Sequence, residues 1–201
     1  MTDHPLSPIV AEHRPPTYDI APLILNRWSA RAMSGDLIPP DEFMPLFEAA
    51  RWAASSRNNQ PWRFRYATRD SDDWHDFFAL LSDGNQRWAG RAALLVVILS
   101  HTTYRESGEP NRNHSFETGG AWANFALEGI RRGFVVHPMQ GFDRTTARET
   151  LNVPSDVRVE IMVAIGHPGD PSILAERDRT REQPNQRQPL TDIVGSGAYE
   201  A

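Results

Sequence analysis

Apolar positions recur at helical spacing through residues 41–54, where Phe43, Leu46, Phe47, Ala50 and Ala54 fall on one face. Leu37-Ile38-Pro39-Pro40-Asp41 reads as the entry to that helix, with Asp41 as its N-cap. The same period over 115–132 (Phe116, Ala123, Ala126, Leu127, Ile130) predicts the longest helix, closed by Gly133 as its C′ residue. Shorter helices are predicted over about 20–26, over 71–81 with Ser71 or Asp72 as cap, and over 145–151 behind Asp143. Residues 63–67 alternate as a strand does, and the unbroken apolar run 92–99 suits a buried strand. A further strand is predicted at 134–137, and 157–165 alternates before turning uniformly apolar, as in a sheet covered on both faces. Strands and helices mix without a strict βαβ rhythm, which favours an α+β sandwich over a doubly wound sheet. No G-x-G-x-x-G follows a strand, and Gly195-Ser196-Gly197 reads as a flexible tail, so a Rossmann dinucleotide site is not expected.

The flanks differ from the body. Residues 1–16 are polar, with Pro at 5, 8, 15 and 16, and read as a loose, flexible N-terminal arm. From 169 to 201 the chain is polar and Pro-punctuated, too long for a compact domain unless it binds something. The 201 residues fit one domain. No apolar run approaches the ~20 residues that cross a bilayer. The N-terminus lacks a signal-peptide core, so a cytoplasmic protein is expected.

Composition narrows the chemistry. Cysteine is absent, which removes disulfides, thiolate nucleophiles, iron–sulfur clusters and cysteine-based zinc sites. Lysine is absent too, and all 21 basic residues are arginine. Schiff-base catalysis and a Walker-type phosphate lysine are therefore impossible. Positive charge comes only as guanidinium, which suits bidentate binding of phosphate or carboxylate. The net charge of −5 and the lack of a basic stripe argue against a nucleic-acid surface.

Four segments carry candidate chemistry. In Arg27-Trp28-Ser29-Ala30-Arg31 a helical or near-helical turn would set both guanidinium groups on one side, with the Ser29 hydroxyl between them, as a cradle for a dianionic phosphate. The loop Ser55-Ser56-Arg57-Asn58-Asn59-Gln60-Pro61 is crowded with amides and hydroxyls, and Asn58 and Gln60 could match the N–H and C=O edge of a heterocycle. In His137-Pro138-Met139-Gln140-Gly141-Phe142-Asp143, Gly141 would admit a flat ligand against the backbone. Arg187, beside Pro189-Leu190, could close over a phosphate from the tail. His114 and Glu117, three apart at a helix start, read as capping rather than as metal ligands, and no metal site is expected. No Ser-His-Asp set or carboxylate pair stands out, so no catalytic side chain is assigned.

In order along the chain stand R-x-S-x-R, S-S-x-N-x-Q-P-W-x-F, and G-N-x-x-W-A at Gly84, Asn85, Trp88 and Ala89. A small-residue helix, H-P-M-x-G-F-D, A-I-G-x-P at 164–168 and R-x-P-L follow. From about residue 22 to 195 this order resembles the FMN-dependent nitroreductase family. The resemblance implies a three-layer α+β sandwich with a central mixed sheet flanked by helices, in an intertwined homodimer. Residues 17–168 would be the flavin-binding body, and 169–201 an extension wrapping the partner subunit. Arg27, Ser29, Arg31 and Arg187 would hold the FMN phosphate. Ser55, Ser56 and Asn58 would reach the flavin bound mainly by the other subunit, and Asn85 the ring's polar edge. Pro138, Met139, Gln140 and Gly141 would pack on one ring face. Gly119, Gly120, Ala121 and Ala123 would let a partner helix approach closely. The implied activity is ping-pong reduction of nitroaromatics, quinones or related small acceptors by NAD(P)H. The alternatives are a flavin site turned to reductive dehalogenation or flavin breakdown, and a non-catalytic flavin carrier.

Overall fold

The unbroken apolar run becomes strand β2 (Leu94–His101), and its neighbour β4 (Val157–Gly166) is buried throughout its second half. These two form the middle of a four-stranded sheet, with β1 (Trp62–Thr68) and β3 (Val135–Met139) at its edges, in the order β1-β2-β4-β3. The computed structural model describes residues 5–199.

Both faces of the sheet are covered, which is why the central strands run unbroken apolar over Leu94–Leu99 and Ile161–Ile165. Leu94, Val96 and Ile98 pack against Phe43, Leu46 and Ala50 of α3 (Pro40–Arg51) and Ala121 and Phe125 of α6 (His114–Arg131). Leu95, Val97 and Leu99 point the other way. They meet Phe77 of α4 (Trp74–Ala79), Trp88 of α5 (Asp83–Ala89) and Ala147 of α7 (Arg144–Thr150). The result is the expected α+β sandwich of three layers.

The sheet is antiparallel throughout rather than mixed: β1 pairs with β2, β2 with β4, and β3 with β4, all in the antiparallel sense. The long helix α6 does return the chain so that β3 runs in the direction of β2. The later strand β4 inserts between the two and removes the parallel pairing that the crossover suggested.

Boundaries moved where proline or turn chemistry outweighed periodicity. Pro39 precedes α3 and Pro40 is its first residue, so Asp41 lies in the first turn instead of capping it. Helix α4 starts at Trp74 because a turn closes from Trp74 N–H to Ser71 C=O (3.1 Å), which displaces the expected Ser71 or Asp72 cap to Asp73. Helix α5 escaped sequence reading, since Gly84 and Asn85 are poor helix formers. Asp143 caps α7 as predicted, accepting from the N–H groups of Thr145 and Thr146, and Gly133 ends α6 at φ 81°. Where a loose arm was expected, Pro8–His13 forms α1, with Val10 only 1% exposed. A five-residue α2 (Pro22–Asn26) follows, and α8 (Glu176–Arg179) lies in the C-terminal extension. Among the described residues, no helix is long and apolar enough to cross a membrane.

Candidate functional site

Helix α2 ends at Asn26, and Arg27 is already extended (φ −76°, ψ 104°). The expected helical turn over 27–31 is therefore absent, and alternation does its work instead. In an extended segment residues two apart share a side. Accordingly the Arg27 guanidinium lies 3.4 Å from the Ser29 hydroxyl, to which it donates. The next residues are held from the tail. The buried Glu182 carboxylate, 3% exposed, accepts from the backbone N–H of Arg31 (2.7 and 3.0 Å) and of Ala32 (2.8 Å).

Arg27 and Arg187, from opposite ends of the sequence, come close enough to repel. Burial first, and then the charge of Arg187, lowers the pKa of Arg27. A third guanidinium joins them. Arg14 donates from Nη1 to the carbonyls of Leu25 and Arg27, both at 2.9 Å, and from Nε to that of Asn185 at 2.8 Å. Its pKa is lowered by burial, then by Arg187, then by Arg27. Among the described residues every ion pair involves other groups, and none of Arg14, Arg27 or Arg187 meets a carboxylate. Guanidinium groups gathered without a counter-charge form a site for an anion.

His137 fastens this segment to the end of β3. Its Nδ1–H donates to the Ala30 carbonyl at 2.8 Å, and its ring lies 4.4 Å from that of Trp88 on α5. Burial chiefly, with the charges of Arg31 and Arg27, pushes its pKa down to about 4, so the ring is neutral at pH 7. Just beyond, the Gly141 carbonyl accepts from Asn85 Nδ2 (2.9 Å) and from Ser82 N–H (3.0 Å). A Cβ on Gly141 would stand 2.8 Å from Ser82 Oγ and 3.0 Å from Asn85 Nδ2, so the glycine lets the start of α5 approach closely. Pro138 and Met139 belong to β3, and the Met139 side chain is buried in the core, which leaves only its backbone for a ligand. Gln140 and Gly141 are exposed. The fold thus gathers Arg27, Ser29, Arg31, Arg187, Asn85 and the 138–141 turn around one end of β3 and α5.

The loop at 55–60 sits elsewhere, at the start of α6. It is strained: Arg57, Asn58 and Gln60 all have φ between 50° and 54°. Buried Glu117 holds it, accepting from Ser56 N–H (2.8 Å) and Asn111 Nδ2 (3.0 Å). Ser55 Oγ accepts from Gln60 N–H, and Gln60 Nε2 donates to the Asn58 carbonyl, so much of the loop's polar capacity is spent internally. Among the described residues no hydrogen bond or ion pair joins Ser55, Ser56 or Asn58 to the arginine cluster.

His114 and Glu117 turn to different partners. His114 Nδ1 lies 2.7 Å from Ser100 Oγ, which donates to Glu160 at 2.6 Å. This serine–histidine–glutamate trio cannot act on a substrate, because Ser100 is wholly buried. Among the described residues no group of three or more His, Asp or Glu side chains could hold a metal.

The Nitroreductase family model matches residues 24–73, a span that includes the Arg27–Arg31 segment and the 55–60 loop. A solved structure described as the oxidoreductase containing FMN superposes with a TM-score of 0.90 at 39% identity, covering 93% of this chain and 96% of that one. The chain belongs to the nitroreductase family. This nitroreductase-family oxidoreductase is also 32% identical over 127 residues to an uncharacterised 15.4 kDa protein of Mycolicibacterium smegmatis, covering 60% of this chain and 80% of the relative. To a provisionally named NADH dehydrogenase/NAD(P)H nitroreductase of Streptomyces coelicolor it is 26% identical over 145 residues, 63% of this chain and 71% of that protein.

Sequence reading of this nitroreductase-family chain missed Arg14, Glu182 and the fastening role of His137. For Arg14 a signal existed: Ser7-Pro8 is a helix-start pair, with Pro suited to the first helical position, and Val10 supplies one apolar anchor. For Glu182 there was none, because its partners are backbone amides 150 residues away.

Proposed function

We propose that the protein is an FMN-dependent oxidoreductase that takes electrons from NAD(P)H and passes them to nitroaromatics, quinones or related small acceptors. The observation that carries this reading is the set of guanidinium groups at Arg14 and Arg27, partly buried, and Arg187, exposed, none of which meets a carboxylate among the described residues, beside the Asn85–Gly141 turn. A terminal phosphate fits that set in charge and hydrogen-bonding chemistry. Support also comes from the FMN contained in the 39%-identical structure. The chemistry FMN supplies when bound is hydride acceptance from NAD(P)H and electron delivery to a second acceptor, a ping-pong cycle.

The chain's own residues bind and orient. Arg27, Arg187 and the Ser29 hydroxyl would hold the phosphate, with Arg31 kept nearby by Glu182. Asn85, whose Nδ2 is engaged by Gly141, would offer Oδ1 to an N–H donor on the ring. Backbone groups of 138–141 would line one ring face. His137 stays neutral and holds the arginine segment in place rather than moving a proton.

A second copy of the chain would complete the site. The outward stripe of α6 carries Phe116, 85% exposed, with Gly119, Gly120 and Ala123 also exposed. No neighbouring atom lies within 4 Å of a Cβ built on Gly119, so a partner helix can approach closely there. Ser55, Ser56 and Asn58, which among the described residues make no hydrogen bond to this chain's own cluster, would then face the partner's flavin.

Absorption spectroscopy of the purified protein tests the reading. A flavin spectrum that NAD(P)H bleaches anaerobically is expected, together with a dimeric mass in solution. A colourless protein that ignores added FMN would overturn it, and a bound flavin that NAD(P)H cannot reduce would make the protein a carrier.

A further inference from the structure

Arg14 links three segments that are distant in sequence: its own arm, the carbonyls of Leu25 and Arg27, and the carbonyl of Asn185 in the tail. A guanidinium carries five N–H donors. Here Nε and Nη1 are engaged, and among the described residues nothing accepts from Nη2. The arm is docked at a second point, where the Asn26 side chain accepts from Ser7 N–H (2.9 Å) and donates to the Pro5 carbonyl (2.9 Å). The tail is docked through Glu182 on the amides of Arg31 and Ala32, and through Asp178, 3.4 Å from Arg87 on α5.

We propose that Arg14 is a further residue of the phosphate site, turning its unengaged Nη2 edge to the anion and latching the N-terminal arm and C-terminal segment together over it. This rests on the flavin reading for the identity of the anion, but the latch itself requires only a phosphate group. Without an anion, docking the arm and tail brings Arg14 and Arg187 toward Arg27 and costs Coulomb energy. A bound phosphate removes that cost, so anion binding and the docking of both ends are one coupled equilibrium, and each must strengthen the other.

The experiment is hydrogen exchange on the full-length, flavin-free protein with FMN, riboflavin, inorganic phosphate or no addition. It is paired with binding titrations on the wild type and on Arg14→Gln, Arg14→Lys and Glu182→Gln. In the wild type, FMN and inorganic phosphate slow exchange at residues 8–14 and 181–187 together, while riboflavin, lacking the phosphate, does not. Arg14→Gln weakens FMN binding by about 10- to 100-fold, the range of a charge-assisted hydrogen bond, and leaves riboflavin binding unchanged. Arg14→Lys keeps a charge but cannot span three carbonyls, so it regains part of the affinity and none of the linked protection. Glu182→Gln loosens the tail first and the arm with it.

Protection of one end only, equal protection by riboflavin, or an Arg14→Gln variant that keeps full FMN affinity would overturn the latch while leaving the flavin reading intact. If FMN does not bind at all, the flavin reading fails, and protection by inorganic phosphate alone decides the latch. Should Arg14→Gln fail to fold, the comparison of FMN with riboflavin on the wild type decides it.

Discussion

Two groups of arginines in this lysine-free chain carry the same charge and live under opposite conditions. At the ends of α3 and α6 each has its carboxylate: Arg51 bonds Glu48, and Arg131 and Arg132 converge on Glu128 at 2.6–2.7 Å. The hydrogen bond to Glu48 raises the pKa of Arg51, and that to Glu128 raises the pKa of Arg131. Around the segment after α2, by contrast, burial and neighbouring positive charge lower the pKa of Arg14 and Arg27. The first group is locally neutralised and contributes modestly to stability. The second is held by backbone carbonyls and Glu182, and among the described residues Arg14, Arg27 and Arg187 meet no carboxylate. Uncompensated like charges of this kind lower the stability of the fold.

The sharpest way to break this contrast is to remove charge from the second group. The double variant Arg27→Ala/Arg187→Ala should weaken FMN binding by roughly 100-fold or more, taking about 10-fold or more per charge-assisted contact. Its flavin-free melting temperature should hold or rise, because repulsion has been relieved. Fluorescence titration and a thermal melt read the two effects, and a large fall in melting temperature with unchanged affinity would place these arginines with the first group.

Next in size is a pH effect through His137. Its pKa in the folded chain, about 4, lies below the ~6.5 of an unfolded histidine, so the unfolded state takes up a proton first as pH falls. Stability is therefore full above about pH 6.5 and is lost progressively toward pH 4, by up to about 3 kcal/mol. Urea unfolding of the flavin-free protein across that window should show the loss. His137→Gln should flatten it, and bound FMN should shrink it, since an anion offsets the charges of Arg27 and Arg31.

The smallest effects belong to the neutralised arginines. Glu128→Gln should cost less than about 1 kcal/mol, because Arg131 and Arg132, 41% and 29% exposed, can turn to water when the carboxylate is lost. Arg51→Gln should leave both melting temperature and FMN affinity within experimental error. A measurable change of affinity in either variant would mean that long-range charge, rather than the local cluster, governs the site.

Much of this contrast was legible from the sequence and part of it was not. The pairs Glu48/Arg51 and Glu128/Arg131/Arg132 lie three or four residues apart on helices, where spacing alone implies contact. The central strands were legible because burial on both faces requires the unbroken apolar runs at 94–99 and 161–165. Arg27, Ser29 and Arg31 were identified as a group, yet their common side comes from extended geometry, and four-residue spacing suggested a helix instead. The all-antiparallel sheet was not legible, because a helical crossover fixes strand direction but not which strand later inserts. Least legible were Arg14 and Glu182. Each bonds to backbone, which carries no side-chain signature, and each does so across 150 residues or more at its farthest contact.

The bond from Arg14 to Asn185 brings the N-terminal arm and the C-terminal segment into direct contact beside Arg27. A bulky label beside either partner of that bond would therefore disturb both segments at once, so labels near residue 14 and near residue 185 should perturb the same surroundings.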